Sequence, residues 1–417
     1  MKRARGRGEA GFALVLTLAL LALLVLTVLA LSVLVRTGAQ VAGAAGGQVQ
    51  ARQHALLGLA VALGELQKAA GPDARVTAMA GMAGVPPQSP FRHWCGVWRI
   101  GGSAPDVWLT SGASPGAVPA LSGETIVLVG PADVGNPSDR TDQELVEAGL
   151  VGIPGDRADG DVLTRGHFAY WVGDEGVKVS AAILDRELQF SGTSGTGLRP
   201  NLSRLVSANF AGGASANAKL LALEQLEWAA EGVSLTGSFH SLGLASRALS
   251  SSAPDGVPRP GSHVVGAFNL NTTAEAAWRA WLEFPDASAS VLGLNATRTL
   301  SGARQIRDRW TARARPFFSV AEMEASGLMQ DAFAAASPKI TSVTAQEFVD
   351  ELRPILTVRS DTFRIRAYGD VVVPATGARP ARAWCEAIVQ RTPEPIDATL
   401  GRRFVVTYFR WLGPEDI

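Results

Sequence analysis

Cysteine is nearly absent from this 417-residue chain. It has two, Cys95 and Cys385, too few for a disulfide-built scaffold or a cysteine zinc module. Histidine is also scarce. His54, His93, His167, His240 and His263 are scattered, with no two at zinc-ligand spacing and no H-E-x-x-H. Net charge is missing as well, with 38 basic against 38 acidic residues, so no basic footprint for nucleic acid exists. There is no P-loop. Gly112-Ala-Ser114-Pro-Gly116 has the spelling of a nucleophile elbow, but that motif needs a strand-turn-helix, and Pro115 and Pro119 spoil the helix. No convergent set of nucleophile, base or metal ligands is left. The expectation is a non-enzymatic protein without a cofactor.

What the chain does have is one long apolar run. Phe12 to Val35 is 24 residues without a charge, an amide, a Gly or a Pro. As a helix it would be roughly 36 Å long, enough to cross a bilayer with some tilt. Lys2, Arg3, Arg5 and Arg7 precede it, so the positive-inside bias puts the N-terminus in the cytoplasm and the remaining chain on the far side. A secretory signal peptide would have a shorter apolar core with a small-residue cleavage site after it, and neither is found.

The junction reads Gly8-Glu-Ala-Gly11-Phe12. A Gly before the apolar run, with basic residues upstream, resembles the leader of the type IV pilin superfamily. That resemblance implies cleavage after Gly11 by a prepilin peptidase, methylation of the new N-terminal Phe12, and retention of the span as anchor and filament core. Leu16 stands where major pilins carry Glu, which implies a minor, terminal component. Without residues 1–11 the chain would keep 34 basic and 37 acidic residues, a net charge of −3. An uncleaved signal anchor, carrying an exported structural protein or an unrecognised enzyme, is the alternative.

Along the chain, Ala51–Ala70 places Leu56, Leu59, Leu63 and Leu66 at helical spacing, with Arg52, Gln53, Gln67 and Lys68 able to face water. Gly71-Pro72 ends this helix. The intervening Gly38–Gly47 is glycine-rich and reads as a hinge. Strand-like runs follow at 91–100, 125–129, 167–172 and 177–182, the last two joined by Gly173-Asp-Glu-Gly176, a hairpin signal. Short helical patterns occupy 218–231, 273–282, 302–314, 319–326 and 344–352. Strands return at 355–358, 362–368 with 371–373, 382–390 and 403–411. The predicted class is therefore α+β. The expected segments are a leader (1–11), a transmembrane helix (12–35), its continuation (36–71), a β-rich head in two parts (73–200 and 354–417) and a mainly helical insertion (201–353).

Several stretches strengthen the resemblance. Phe168-Ala-Tyr-Trp171-Val172-Gly-Asp174-Glu-Gly-Val-Lys178, Phe268-Asn-Leu-Asn271-Thr, Arg315-Pro-Phe-Phe-Ser-Val-Ala-Glu322 and Arg359-Ser-Asp361-Thr-Phe363-Arg-Ile-Arg366 are similar to segments of the general secretion pathway protein K family of minor pseudopilins. With Ala383-Trp384-Cys385-Glu386, the set looks closest to the Verru_Chthon cassette protein A family of pilin-like proteins. The resemblance covers the N-terminus and roughly 165–411, and 73–164 matches neither family. It implies a pilin-like antiparallel sheet head, an inner-membrane single-pass anchor with a periplasmic head, and assembly in a type IV pilus or type II secretion-like system. The implied partners are the lipid bilayer, prepilin peptidase and other pilin-like subunits.

The remaining candidates are few. Asp156, Asp159 and Asp161 have the look of a calcium loop but lack the twelve-residue register and terminal Glu of an EF-hand, so a solvated acidic turn is expected. Asp174 and Glu175 read as turn residues. Trp94, Trp98, Trp108, Trp171, Trp384 and Trp411 read as core. Arg359, Arg364 and Arg366 read as exposed strand residues or partners of carboxylates in the insertion. Cys95 and Cys385 each follow a Trp in a strand-like run. In an oxidising compartment they are candidates for a disulfide, and they fit equally well as small buried hydrophobes.

Overall fold

The computed structural model describes residues 9–114, 116, 118–135, 144–158, 161–181, 200, 205, 235–244, 246–249, 263–283, 296–341 and 343–417. In chain order, α1 (Glu9–Ala70) leads to β1 (Arg75–Met79), β2 (Cys95–Arg99), β3 (Val107–Trp108) and β4 (Thr125–Val129). A one-turn α2 (Pro131–Val134) precedes β5 (Val146–Gly149), β6 (Val151–Ala158), β7 (Asp161–Asp174) and β8 (Val179–Ser180). Then come β9 (Leu242–Gly243), β10 (Arg247–Leu249), β11 (His263–Val265) and β12 (Phe268–Asn269). Five helices follow: α3 (Glu275–Leu282), α4 (Ala296–Arg313), α5 (Val320–Ala325), α6 (Leu328–Ala335) and α7 (Ala345–Leu352). The chain closes with β13 (Leu356–Thr357), β14 (Thr362–Val373), β15 (Ala378–Asp397) and β16 (Gly401–Leu412).

Helix α1 runs unbroken for 62 residues, so the glycine-rich stretch is not a break. No heavy atom crowds the positions where Gly38, Gly43 and Gly46 would carry a Cβ, and the helix continues there on its own hydrogen bonds. Large side chains from Phe12 to Val35 stand bare of protein, between 46% and 73% exposed. The three threonines of α1 satisfy their hydroxyls locally. Thr17, Thr27 and Thr37 donate to the carbonyls of Leu14, Leu24 and Val33 at 2.9, 2.7 and 2.8 Å, the local bond such hydroxyls make in apolar surroundings. This one helix is long and apolar enough to cross a membrane.

The second half of α1 lies on one face of an antiparallel five-stranded sheet of order β16-β15-β14-β7-β6. Its buried stripe is Ala51, Ala55, Leu59, Ala62, Leu66 and Ala70. Of the leucines expected from spacing, Leu59 and Leu66 lie on it and Leu63 packs partly buried beside it, whereas Leu56 points outward. The seam is built of small residues on both sides. Ala367, Gly369, Ala381, Ala383, Cys385 and Ala387 meet the helix from the sheet, and a Cβ on Gly58 would sit 3.0 Å from the Ala169 carbonyl oxygen. Alternation along the strands sends Phe363, Ile365, Tyr170, Val172 and Val389 to the same face.

The C-terminal end of α1 is tied to the sheet. Gln67, read from sequence as water-facing, donates to Leu400 O and Arg402 O at 2.7 and 2.8 Å and accepts from Phe404 N at 2.9 Å. The fully buried Arg391 donates through Nε to Gly71 O at 3.0 Å and lies 3.3 Å from Asp361 Oδ1. A guanidinium thus fills the role of a C-cap.

The opposite face of the sheet presents Trp171, Tyr368 and Trp384 to a second, larger core that holds the helices α3–α7. Phe268, Trp278, Trp310 and Phe317 pack there edge to face, and Trp281 lies tilted against Phe268. Ser319 caps α5 through Glu322 N, and Thr344 forms a capping box with Glu347 at the start of α7. Helix α6 has no strong sequence signal, since Gly327, in the left-handed region at φ 69°, serves as its N-cap without a side-chain bond. Among the described residues, the architecture is mixed helix and sheet with a long apolar N-terminal helix and antiparallel sheets.

Candidate functional site

The hairpin expected across Gly173–Gly176 is not formed. β7 pairs with β14 and β6, whereas β8 pairs with β9 in parallel. The reason is that Asp174 and Glu175 are buried, 5% and 3% exposed, and point into the protein. Asp174 Oδ2 accepts from Thr77 Oγ1 at 2.9 Å and its Oδ1 from Gly176 N at 2.8 Å. Burial pushes this carboxyl up to about 6, against the pull of its hydrogen bonds to Ser360, Thr77 and Gly176.

Glu175 begins a buried chain of charges across the insertion-side face of the sheet. It pairs with Lys178 at 2.6 Å and with Arg364 at 2.9 Å. Arg364 and Arg366 both reach Glu386, at 3.0 and 2.8 Å, and Arg410 closes on its other oxygen at 3.0 Å. Arg366 also engages Asp133 of α2. Burial raises the Glu386 carboxyl, and the charges of Arg364, Arg366 and Arg410 outweigh it, leaving it well below the usual range. Burial pulls the Lys178 ammonium down, with Glu175 opposing. The Phe239 ring roofs this chain, with Lys178, Arg364 and Arg366 at 4.6, 5.0 and 4.5 Å from its centroid.

Arg364 and Arg366 are therefore neither surface residues nor partners of the helical insertion, as expected from sequence. Their carboxylates come from β15, α2 and the end of β7. Arg359 pairs with Asp361 at 3.2 Å and donates to Asp73 O at 2.9 Å. Sequence inspection missed the network because its members are spread over 133–410 and meet only through strand pairing. The one available signal was Arg-x-Arg at 364–366 on the same strand face.

The N-x-N residues are structural braces. Asn269 Nδ2 donates to Thr77 O and Ser360 Oγ, both at 3.0 Å. Asn271 donates to Phe317 O at 2.9 Å and accepts from Phe317 N at 2.8 Å. Asn269 thus ties β12 to β1 and to the residues before β14, and Asn271 ties the chain after β12 to the connection between α4 and α5.

Cys95 and Cys385 are two free, buried thiols. Their sulfurs approach different carbonyls, Gly96 O at 3.8 Å and Ala55 O at 3.9 Å. Trp94, Trp98, Trp108, Trp171 and Trp384 are buried as expected, whereas Trp411 is 37% exposed, with Arg52 of α1 5.2 Å from its ring. Trp411 belongs to the edge strand β16, which also exposes Val406, Tyr408 and Phe409. Asp159 lies outside the described residues, as do the helix expected at 218–231 and the leader before Glu9. Asp156 and Asp161 fall in β6 and β7. Gly11 and Phe12 lie in the first turns of α1.

No family model, no curated protein and no solved structure matches this chain.

Proposed function

We propose that the chain is a non-enzymatic, membrane-anchored, pilin-like minor subunit of a type IV pilus or type II secretion-like assembly. It would be held in the inner membrane, N-terminus cytoplasmic and head periplasmic, until a machine extracts it into a filament. The observation that carries this reading is the two-part nature of α1. One continuous helix is bare and apolar over Phe12–Val35 and packs over Ala51–Ala70 on an antiparallel sheet. A helix built this way can exchange lipid for the helices of neighbouring subunits without disturbing the head. Leu16 offers no carboxylate to neutralise a neighbour's N-terminal amine, which suits a rare, terminal place. The exposed β16 edge, beside α1, is the face this reading assigns to a second pilin-like subunit.

The test is N-terminal sequencing of the membrane-extracted chain from a host that has a prepilin peptidase. The mature protein is expected to begin at a methylated Phe12, and Gly11→Val is expected to abolish processing while leaving membrane insertion intact. A mature chain that still begins at Met1 would overturn the reading.

A further inference from the structure

Three segments far apart in sequence converge beside the buried charges. His93 leads into β2, Glu144 leads into β5, and His240 precedes β9. Both histidines are buried, and Glu144 is partly exposed. His93 Nε2 is 2.9 Å from Glu144 Oε2, while Arg92 stands 3.6 Å from the other oxygen and holds the carboxylate in that orientation. The His240 Nε2–H donates to the Glu144 carbonyl at 2.8 Å. Because a carbonyl can only accept, that bond fixes the tautomer and leaves Nδ1 with the lone pair. The two imidazoles lie face to face, centroids 3.5 Å apart and 6° from parallel. One ligating atom from each of the three residues falls within 4.8 Å of the other two.

We propose that His93, Glu144 and His240 bind one divalent transition-metal ion, zinc or a metal of similar softness. Two imidazoles and one carboxylate form a borderline donor set that suits such ions and not calcium or magnesium. The short His93–Glu144 contact is what such a pair makes when a proton stands in for the ion. Two ligands about 2.0–2.1 Å from a tetrahedral ion are about 3.3 Å apart, so the 2.9 Å contact need open only slightly. His93 then binds through Nε2 with its proton on Nδ1. His240 turns out of the stack to aim its own Nδ1. A cavity of about 10 Å³ borders both rings, room for one water as the fourth ligand. Trp94 and Trp171 line that cavity and give the site its apolar shell. Lys178, on the same wall, has its charge held by Glu175. An ion here would staple three connections that otherwise meet only through side chains.

The test uses the full chain in detergent, stripped with a chelator and titrated separately with Co²⁺ and Zn²⁺. One equivalent of Co²⁺ is expected to bind with the visible absorption of a tetrahedral site, which Zn²⁺ then displaces. Glu144→Gln, which keeps the side chain's shape, and His240→Ala are each expected to weaken binding by at least about 100-fold, more than the loss of an outer-shell partner costs. Circular dichroism checks that both variants are folded. The proposal is overturned if the wild-type chain binds well under one equivalent of either ion. It is equally overturned if folded E144Q and H240A keep full stoichiometry and the same spectrum, since the ion would then sit elsewhere.

Discussion

Gly369 of β14 lies directly under Ala55 of α1, so close that a Cβ there would overlap the backbone of Ala51, His54 and Ala55. The helix and the sheet meet backbone to backbone at this point, and His54 Nδ1 bonds the neighbouring Asp370 carbonyl at 2.5 Å. A methyl group cannot be absorbed by a flexible side chain there. Gly369→Ala is expected to cost about 1–3 kcal/mol, the range for overpacking a well-filled interface. Urea unfolding of the full chain in detergent measures it. An unchanged midpoint would mean that the seam has slack.

Glu386 faces three guanidinium groups from inside the protein. Removing its charge leaves Arg364 and Arg366 buried with too few partners, so Glu386→Gln is expected to destabilise by about 3–5 kcal/mol. Because its folded pKa is depressed, the contribution of Glu386 is fully present above its unfolded value, near 4.5. It is lost only as pH falls through the much lower folded value. Glu386→Gln should therefore lower the thermal midpoint throughout the neutral range. A midpoint within a degree of wild type at pH 7 would contradict it.

Much of the fold is legible in local pattern. The 24-residue apolar run, the Gly71-Pro72 stop, the strands at 125–129 and 362–368 and the helix at 319–326 each rest on chemistry within a few residues. What fails is whatever depends on distant partners. Asp174 and Glu175 have turn spelling, yet Thr77, Lys178 and Arg364 draw them inside. Gln67 looks solvated until β16 arrives to accept its amide. On α1, Leu59 and Leu66 share the buried stripe with Ala51, Ala55, Ala62 and Ala70, because a sheet faced with Ala and Gly brings the helix close, and Leu56 is left outside. The meeting of His93 and His240 has no signature at all. Their separation of 147 residues follows no spacing rule.

The two thiols give a chemical readout of the same packing. Burial pushes Cys95 well up and Cys385 to about 12, so neither carries thiolate near pH 7. An alkylating reagent is expected to leave both untouched in the folded chain and to modify two per chain after denaturation without reductant. Mass spectrometry distinguishes the outcomes. Rapid modification of the native protein would contradict the burial, and none after denaturation would mean that the two are bridged.

Asp174 makes the opposite pH prediction to Glu386. Its carboxyl is buried and raised from 3.8 to about 6, so between those values the folded chain holds a proton that the unfolded chain has released. Stability from this group therefore falls as pH rises through that window. About two pK units correspond to roughly 3 kcal/mol. Asp174→Asn preserves the shape and is neutral at every pH, so it lacks this term. The stability difference between wild type and D174N isolates Asp174 from the other carboxylates, whose slopes are common to both. Measured by denaturant unfolding at pH 4, 5, 6 and 7, that difference should shift in favour of D174N by about 2–3 kcal/mol as pH rises. A difference that stays constant from pH 4 to 7 would show that Asp174 ionises in place as easily as in water, its burial fully offset by Thr77, Ser360 and the Gly176 amide.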